Sequence, residues 1–269
     1  MTRCASLGMY DHPAQRLAND ALWARIADEL RRSGVADLPA TLDRDRDLDA
    51  IWRDPELILG QACGYPMITD ATLPLRIVAL PVYECPACRG STHHSLIVVR
   101  HNDQAFGLGD LRGRRAAIND PASNTGMNLF RAAIAPIANA QAFFAAVEHT
   151  GSHRASALAV ASGDVDVAAI DSVTFAALDR YEPDLTDQLR ILQMTAPSPT
   201  LPLVTAATTD EATRAVLQQA VLAALADPAL ADARDALFLI GAAIRSEDIL
   251  TPLASLSLQA SKLGYPLLR

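Results

Sequence analysis

The chain is almost without lysine: of its 23 basic residues only Lys262 is not an arginine, a bias we read as genomic composition and not as function. Against 31 acidic residues the cations leave a formal charge of −8, which argues against nucleic acid or an anionic membrane as the main partner. No apolar run reaches the ~18 residues a membrane helix needs; the longest, residues 237–244, reads by length as a core helix. The first ten residues have no apolar stretch followed by a small-residue cleavage site. They read as an opening β-strand and not as a signal peptide, so the chain is either cytoplasmic or has lost an export signal. Enzyme signatures are missing too: there is no G-x-S-x-G, no G-x-x-x-x-G-K-[ST], no H-E-x-x-H, no G-x-G-x-x-G, and no evident carboxylate couple. No cofactor is called for.

Cysteine is sparse, at Cys4, Cys63, Cys85 and Cys88. A disulfide-stapled scaffold is therefore excluded, since half of the 269 residues are apolar and can build an ordinary core. Cys85-Pro-Ala-Cys88 has the spacing of a redox or zinc half-site, but Arg-Gly-Ser-Thr follows it where a redox motif should open a helix. A structural zinc wants four ligands, and only His93 and His94 lie nearby. Unligated loop cysteines, an occasional disulfide, a Cys/Cys/His metal site and a redox pair all remain open readings.

What is present is an alternation of short apolar runs with helical patterns, the signature of an α/β chain with parallel strands. Residues 5–10, 57–60 and 77–83 read as strands, and 14–32 as an amphipathic helix with Leu17, Leu22, Ile26 and Leu30 on one face, closed by Ser33-Gly34. The middle third repeats the scheme: strands at 95–100, 115–119, up to 148, 165–171 and 189–195, helices at 126–135, 154–162 and 172–180. A short strand follows at 203–206, and from 210 onward the pattern is helical, with breaks at Pro228 and Pro252. Strands near 95–100 and 201–206 bracket the middle third. One α/β unit is thus expected inside another: residues 1–96 with 204–269 as the first lobe, 97–203 as the inserted second, joined by two crossings, with a cleft that can open and shut.

Ligands in such sheets sit beyond the carboxyl ends of strands, where loops run into helix starts. Ser123, Asn124 and Thr125 stand at one such place; they are either donors to an anion, helped by free N–H groups and the helix dipole, or an ordinary N-cap. Thr150, Ser152 and His153 stand at a second, with Ser152 as cap and His153 able to donate to an oxyanion or simply to pack. Asp171 ends an apolar strand and either accepts from a ligand hydroxyl or ammonium or caps the helix after it. Tyr10 and Tyr83 end strands of the other lobe, and Gln61-Ala-Cys-Gly-Tyr65 reads as a strand-end turn.

Asp120-Pro-Ala-Ser-Asn-Thr-Gly126, Thr150-Gly-Ser-His153 and Val167-Ala-Ala-Ile-Asp171 occur in the order and spacing of the phosphonate/phosphate-type solute-binding proteins of ABC importers. Tyr83 followed by Gly90-Ser-Thr-His-His-Ser-Leu-Ile-Val-Val-Arg100 is similar to that family's crossing segment, so the resemblance runs from Ala5 to about residue 207. It implies an α/β, two-lobed periplasmic-binding-protein fold of type II, each lobe a mainly parallel sheet flanked by helices. It further implies a non-enzymatic receptor that closes on a small oxyanion (phosphonate, phosphate or phosphite-like), with ABC permease subunits as partners if the chain is exported, and a periplasmic location. Carried over, Ser123, Asn124 and Thr125 match the family's hydroxyl-rich anion-binding turn, His153 its histidine, Asp171 its ligand-facing acid, and Tyr10 and Tyr83 its cleft aromatics. The departures are Asn124, where the family's Ser-Thr-Ser turn has a hydroxyl, the absent leader, and the Cys85/Cys88 pair. Two rivals use the same fold: a cytoplasmic enzyme of the chorismate-dehydratase or thiamine-pyrimidine kind, with Asp171 or His153 as base, and a receptor for a neutral or aromatic metabolite stacking on Tyr10, Tyr65 and Tyr83.

Overall fold

The structure, a computed structural model, describes residues 3–269; Met1 and Thr2, the start of the segment read as an opening strand, lie outside it. In chain order the principal strands begin with β1 (Cys4–Ser6), β2 (Leu57–Gln61), β3 (Leu75–Tyr83), β4 (Ser95–Arg100) and β5 (Arg115–Ile118). They continue with β6 (Ala146–His149), β7 (Val167–Asp171), β8 (Leu189–Met194), β9 (Leu203–Ala206) and β10 (Leu239–Ala243). The longer helices are α1 (Arg16–Arg32), α2 (Leu129–Ala138), α3 (His153–Ser162), α4 (Ser172–Tyr181), α5 (Glu211–Ala226) and α6 (Thr251–Lys262). Among the described residues no helix is long and apolar enough to cross a membrane.

Two compact units result, each a mixed sheet of parallel and antiparallel strands flanked by helices. The first unit gathers the residues up to Glu84, Arg89–Ser91 and Pro199–Ile249 around a sheet of order β1-β2-β9-β3-β10. Strands β1 and β2 run parallel, while β9 and β10 run against their neighbours, so three strands point one way and two the other. Helix α1 lays Leu22, Trp23, Ile26, Ala27 and Leu30 into the core and packs on α5, which buries Leu217, Val221 and Leu225 at helical spacing. It closes as expected: Gly34 takes φ +84°, and Val35 N–H returns to the Leu30 carbonyl at 3.0 Å. Leu17 does not join that face. It stands five residues before Leu22, about 140° around the helix at ~100° per residue, and is 85% exposed.

Two other expectations for this unit are corrected. The opening strand stops at Ser6, and Gly8–Tyr10 is a tight helical turn whose Tyr10 N–H bonds the Leu7 carbonyl. The apolar run at 237–244 is not a helix: Phe238 takes φ +57°, which no helix interior accepts, and the following residues pair with β3 as an edge strand.

The second unit comprises Cys85–Cys88, Thr92–Ser198 and Leu250–Arg269, with sheet order β8-β4-β7-β5-β6. Strands β7, β5 and β6 are parallel neighbours; only β4 points the other way, antiparallel to both β7 and β8. Its core is aliphatic, with Leu96, Val98, Val160, Val165, Ile170 and Leu178 all buried.

The division differs from the expected one at both ends. Residues 92–96 belong to the second unit because Ser95 and Leu96 pair with Asp171 and Ile170. Residues 250–269 belong there as well, so the chain passes once more between units after Ile249: α6 packs on α2 through buried Leu253 and Ala260. The buried Arg131 guanidinium of α2 donates to the Pro266 carbonyl at 2.5 Å and to Ser257 Oγ at 2.8 Å, tying that segment down.

Candidate functional site

Because β7, β5 and β6 run parallel and side by side, their carboxyl ends fall at one edge of the second unit's sheet, and each leads to a helix start. After β5 the chain turns at Asp120-Pro121, and Ser123 opens the next helix as its N-cap, accepting the Gly126 N–H at 3.0 Å. The first turn is wide: Asn128 N–H reaches the Ser123 carbonyl, five residues back, before the regular α2 begins. Such π-type turns cost hydrogen-bond geometry and recur at functional sites. The helix expected to start at Gly126 thus starts two residues earlier, in a form that periodicity does not announce.

The turn is tightly built in. Ser95 Oγ donates to the Thr125 carbonyl at 2.7 Å, and the Asn124 amide donates to Ser198 Oγ at 2.7 Å while its oxygen accepts from Asn128 at 3.1 Å. Gly126 is required by close approach: a Cβ there would lie 1.8 Å from Asn119 Oδ1 and 3.2 Å from His153 Cε1. Asn119 Oδ1 is buried and has no hydrogen-bond partner among the described residues.

The second helix start sits beside the first. Thr150 and Gly151 donate their N–H groups to the carbonyls of Ile118 and Asn119, both at 3.0 Å, which fixes the loop after β6 against the end of β5. Ser152 caps α3 by accepting from Ala155 N–H at 3.0 Å, and His153 occupies its first position. His153 Nε2 and Thr125 Oγ1 share a hydrogen bond of 2.9 Å, so the two helix starts are joined by side chains. Desolvation lowers the His153 pKa, with Asp171 and the Ala169 carbonyl opposing it, so the ring is neutral at pH 7. A neutral ring can either accept the Thr125 proton or donate to its oxygen, which in turn decides whether Thr125 has a proton left to give.

Asp171, 1% exposed, is the cap of the third helix start. Its Oδ1 accepts from Val173 and Thr174 N–H at 2.9 and 3.1 Å, and its Oδ2 lies 3.2 Å from Nδ1 of the wholly buried His93. Burial alone would raise this carboxyl, but His93, the more distant His153 and the helix N–H groups outweigh it and hold the pKa at about 2. Of the two readings of Asp171, the cap is what the structure displays. His93 is the neighbour of Asp171 that the sequence does not reveal: its spacing suggests only a metal ligand, and nothing local points to Asp171. Among the described residues no group of three or more His, Cys, Asp or Glu is arranged to hold a metal ion.

Tyr10 and Tyr83 belong to the first unit. Their rings meet edge to face, 5.6 Å between centroids at 89°, and the Tyr83 hydroxyl accepts from the Gln61 amide at 3.0 Å. Gln61 ends β2 and also donates to the Leu201 carbonyl at 3.2 Å, so the strand-end turn read at Gln61 adjoins the tyrosine pair. Tyr65 is buried in the short helix that follows.

Residues 61–243 match the family model described as the ABC transporter, phosphonate, periplasmic substrate-binding protein. The match spans well over half of the chain, and the chain belongs to that family of solute-binding transport proteins. Solved structures agree on the fold. The binding-protein component of an ABC phosphonate transporter (PA3383) from Pseudomonas aeruginosa superposes with a TM-score of 0.76 at 17% identity, over 97% of this chain and 87% of that one. PhnD1 from Prochlorococcus marinus, in complex with methylphosphonate, gives 0.75 at 12% identity over 97% and 98%. XAC2383 from Xanthomonas citri, bound to ATP, gives 0.71 at 20% identity over 97% of both chains. No curated protein sequence matches the chain.

Proposed function

We propose that this protein is the receptor of an ABC importer for a small phosphorus oxyanion, a phosphonate, phosphate or phosphite-like species, and that it turns nothing over. The observation that supports this most is the gathering of three helix starts at one sheet edge of the second unit, bearing the neutral groups of Ser123, Thr125, Ser152 and His153. Helix N-termini and hydroxyls suit an anion in a chain whose net charge of −8 offers no general attraction for one. Ser123 Oγ accepts from Gly126 N–H, which leaves its own proton to donate to the ligand. Asn124 enters as the brace of the turn. Asp171 enters as a charge beneath the site, its oxygens already engaged by Val173, Thr174 and His93. Tyr10 and Tyr83 are the first unit's contribution in the same proposal, as is the closure of the two lobes that the family resemblance implies, with permease subunits and a periplasmic setting.

The test is calorimetry in phosphate-free buffer against phosphate, phosphite, methylphosphonate, 2-aminoethylphosphonate and sulfate. One phosphorus oxyanion should bind, and sulfate should not. Ser123→Ala combined with Thr125→Ala should weaken that ligand about a hundredfold, from roughly 1.4 kcal/mol for each hydroxyl on a charged partner. Circular dichroism should show the double variant folded, since a lost cap costs only about 1 kcal/mol. Unchanged affinity would remove the site assignment; silence from every anion would remove the proposal.

A further inference from the structure

We propose that Cys85 and Cys88 form a redox-modification site, a dithiol that closes to an intramolecular disulfide by exchange with a low-molecular-weight disulfide. Both are free thiols in the structure, both are partly exposed, and their sulfurs stand 2.7 Å apart. The backbone builds that proximity. Cys88 N–H donates to the Cys85 carbonyl at 3.0 Å, Pro86 occupies the second position of the turn, and Ala87 takes φ +64° in the third. Those are the marks of a type II turn, in which proline presets the second residue and the third must have positive φ. A four-residue turn keeps its end Cα atoms within ~7 Å, and a disulfide spans about 4.4–6.8 Å between Cα atoms, so closing the bond needs side-chain rotation and no backbone rearrangement. That Ala87, and not glycine, holds the left-handed conformation shows that the surrounding chain enforces the turn.

The chemistry at the two sulfurs is unequal. Cys88 Sγ lies 3.4 Å from the hydroxyl of Ser172, the first residue of α4. The Cys85 sulfur beside it, the Ser172 hydroxyl and the His93 ring hold the Cys88 thiol below the ordinary cysteine range, against burial and the Asp171 carboxylate, while the same sulfur contact, burial and Asp171 push Cys85 up. Its place beside the Ser172 hydroxyl, at the N-terminal turn of α4, makes Cys88 the attacking thiolate. It displaces one thiolate from the incoming disulfide to give a mixed disulfide; Cys85 then loses its proton, attacks the Cys88 sulfur and expels the second. Two protein thiols lose two electrons and two protons, and one small disulfide becomes two small thiols. The other cysteines take no part: Cys4 and Cys63 are buried in the first unit, and burial pushes Cys4 to about 11, which leaves it inert.

The experiment equilibrates the full chain in glutathione buffers of rising disulfide-to-thiol ratio, alkylates what remains reduced, and digests with trypsin. Residues 77–89, released by cleavage after Arg76 and Arg89, carry both cysteines. This peptide should pass from doubly alkylated to unalkylated and lighter by two hydrogens, and return on adding excess reduced glutathione. Cys85→Ser should instead trap glutathione on Cys88, at least about tenfold faster than Cys88→Ser traps it on Cys85. A peptide that stays doubly alkylated at every ratio, or that carries two glutathiones without closing, overturns the proposal. Equal trapping rates overturn the choice of Cys88 as attacker.

Discussion

Replacing Asp171 by asparagine isolates the charge of the buried carboxylate from its shape. Asparagine is as good an N-cap as aspartate, so the Val173 and Thr174 N–H groups keep an acceptor and only the ionisation is lost. Asp171 has its pKa lowered from 3.8 to about 2 on folding, and at 1% exposure solvent screens little of that difference. At ~1.36 kcal/mol per pH unit, the ionised form contributes about 2 kcal/mol. Because the folded value is the lower one, the contribution is complete above pH ~4 and is lost as pH falls through about 2. The wild type should therefore exceed Asp171→Asn by about 2 kcal/mol in urea unfolding at pH 7 and at pH 5, with the gap narrowing below pH 4. Circular dichroism is the right signal, since both tryptophans, Trp23 and Trp52, lie in the first unit and their fluorescence reports that one. A gap that persists unchanged to pH 2.5, or a variant as stable as wild type at pH 7, would refute the assignment of His93 and the helix start as the carboxylate's stabilisers.

Two further substitutions probe the turn and the C-terminal segment. Gly126→Ala drives a methyl into Asn119 and His153, and should lower the affinity of the ligand found by calorimetry at least tenfold while the far-UV spectrum stays native. Leu253→Ala empties a buried position between α6 and α2 and should cost 2–5 kcal/mol, seen as early proteolysis after residue 250; wild-type resistance would mean that α6 adds nothing to the second unit.

The strands at β4, β5, β7 and β9 and the long helices were legible because their residues obey a single rule over their whole length: continuous aliphatic runs for strands buried on both faces, 3.6-residue spacing for helices. Residues 237–244 defeated the same reading. An apolar run without alternation fits either element, and the decisive fact is the backbone of Phe238, which composition does not encode. Leu17 was misplaced because a leucine at the start of a helix looks like the first member of its stripe. At the candidate site the caps Ser123, Ser152 and Asp171 were readable, since capping is local chemistry. The wide turn after Ser123, the Thr125–His153 bond and the pairing of Asp171 with His93 were not, because each joins residues that only the sheet order brings together. The C-terminal segment went to the wrong unit for the same reason: its partners Asn128 and Arg131 lie in the middle of the chain.

That last arrangement sets an order of assembly for a chain made from its N-terminus onward. The second unit's sheet has its final strand once Met194 has been made, and the first unit's sheet lacks β10 until Ala243. The helix that seals the second unit comes later still, and the Arg269 carbonyl accepts the N–H groups of Phe143 and Phe144. Neither unit can be complete before the other is nearly so, and the earlier-finished sheet waits with the buried side of α2 uncovered. The second unit therefore receives its covering helix only after the first unit's edge strand has been made.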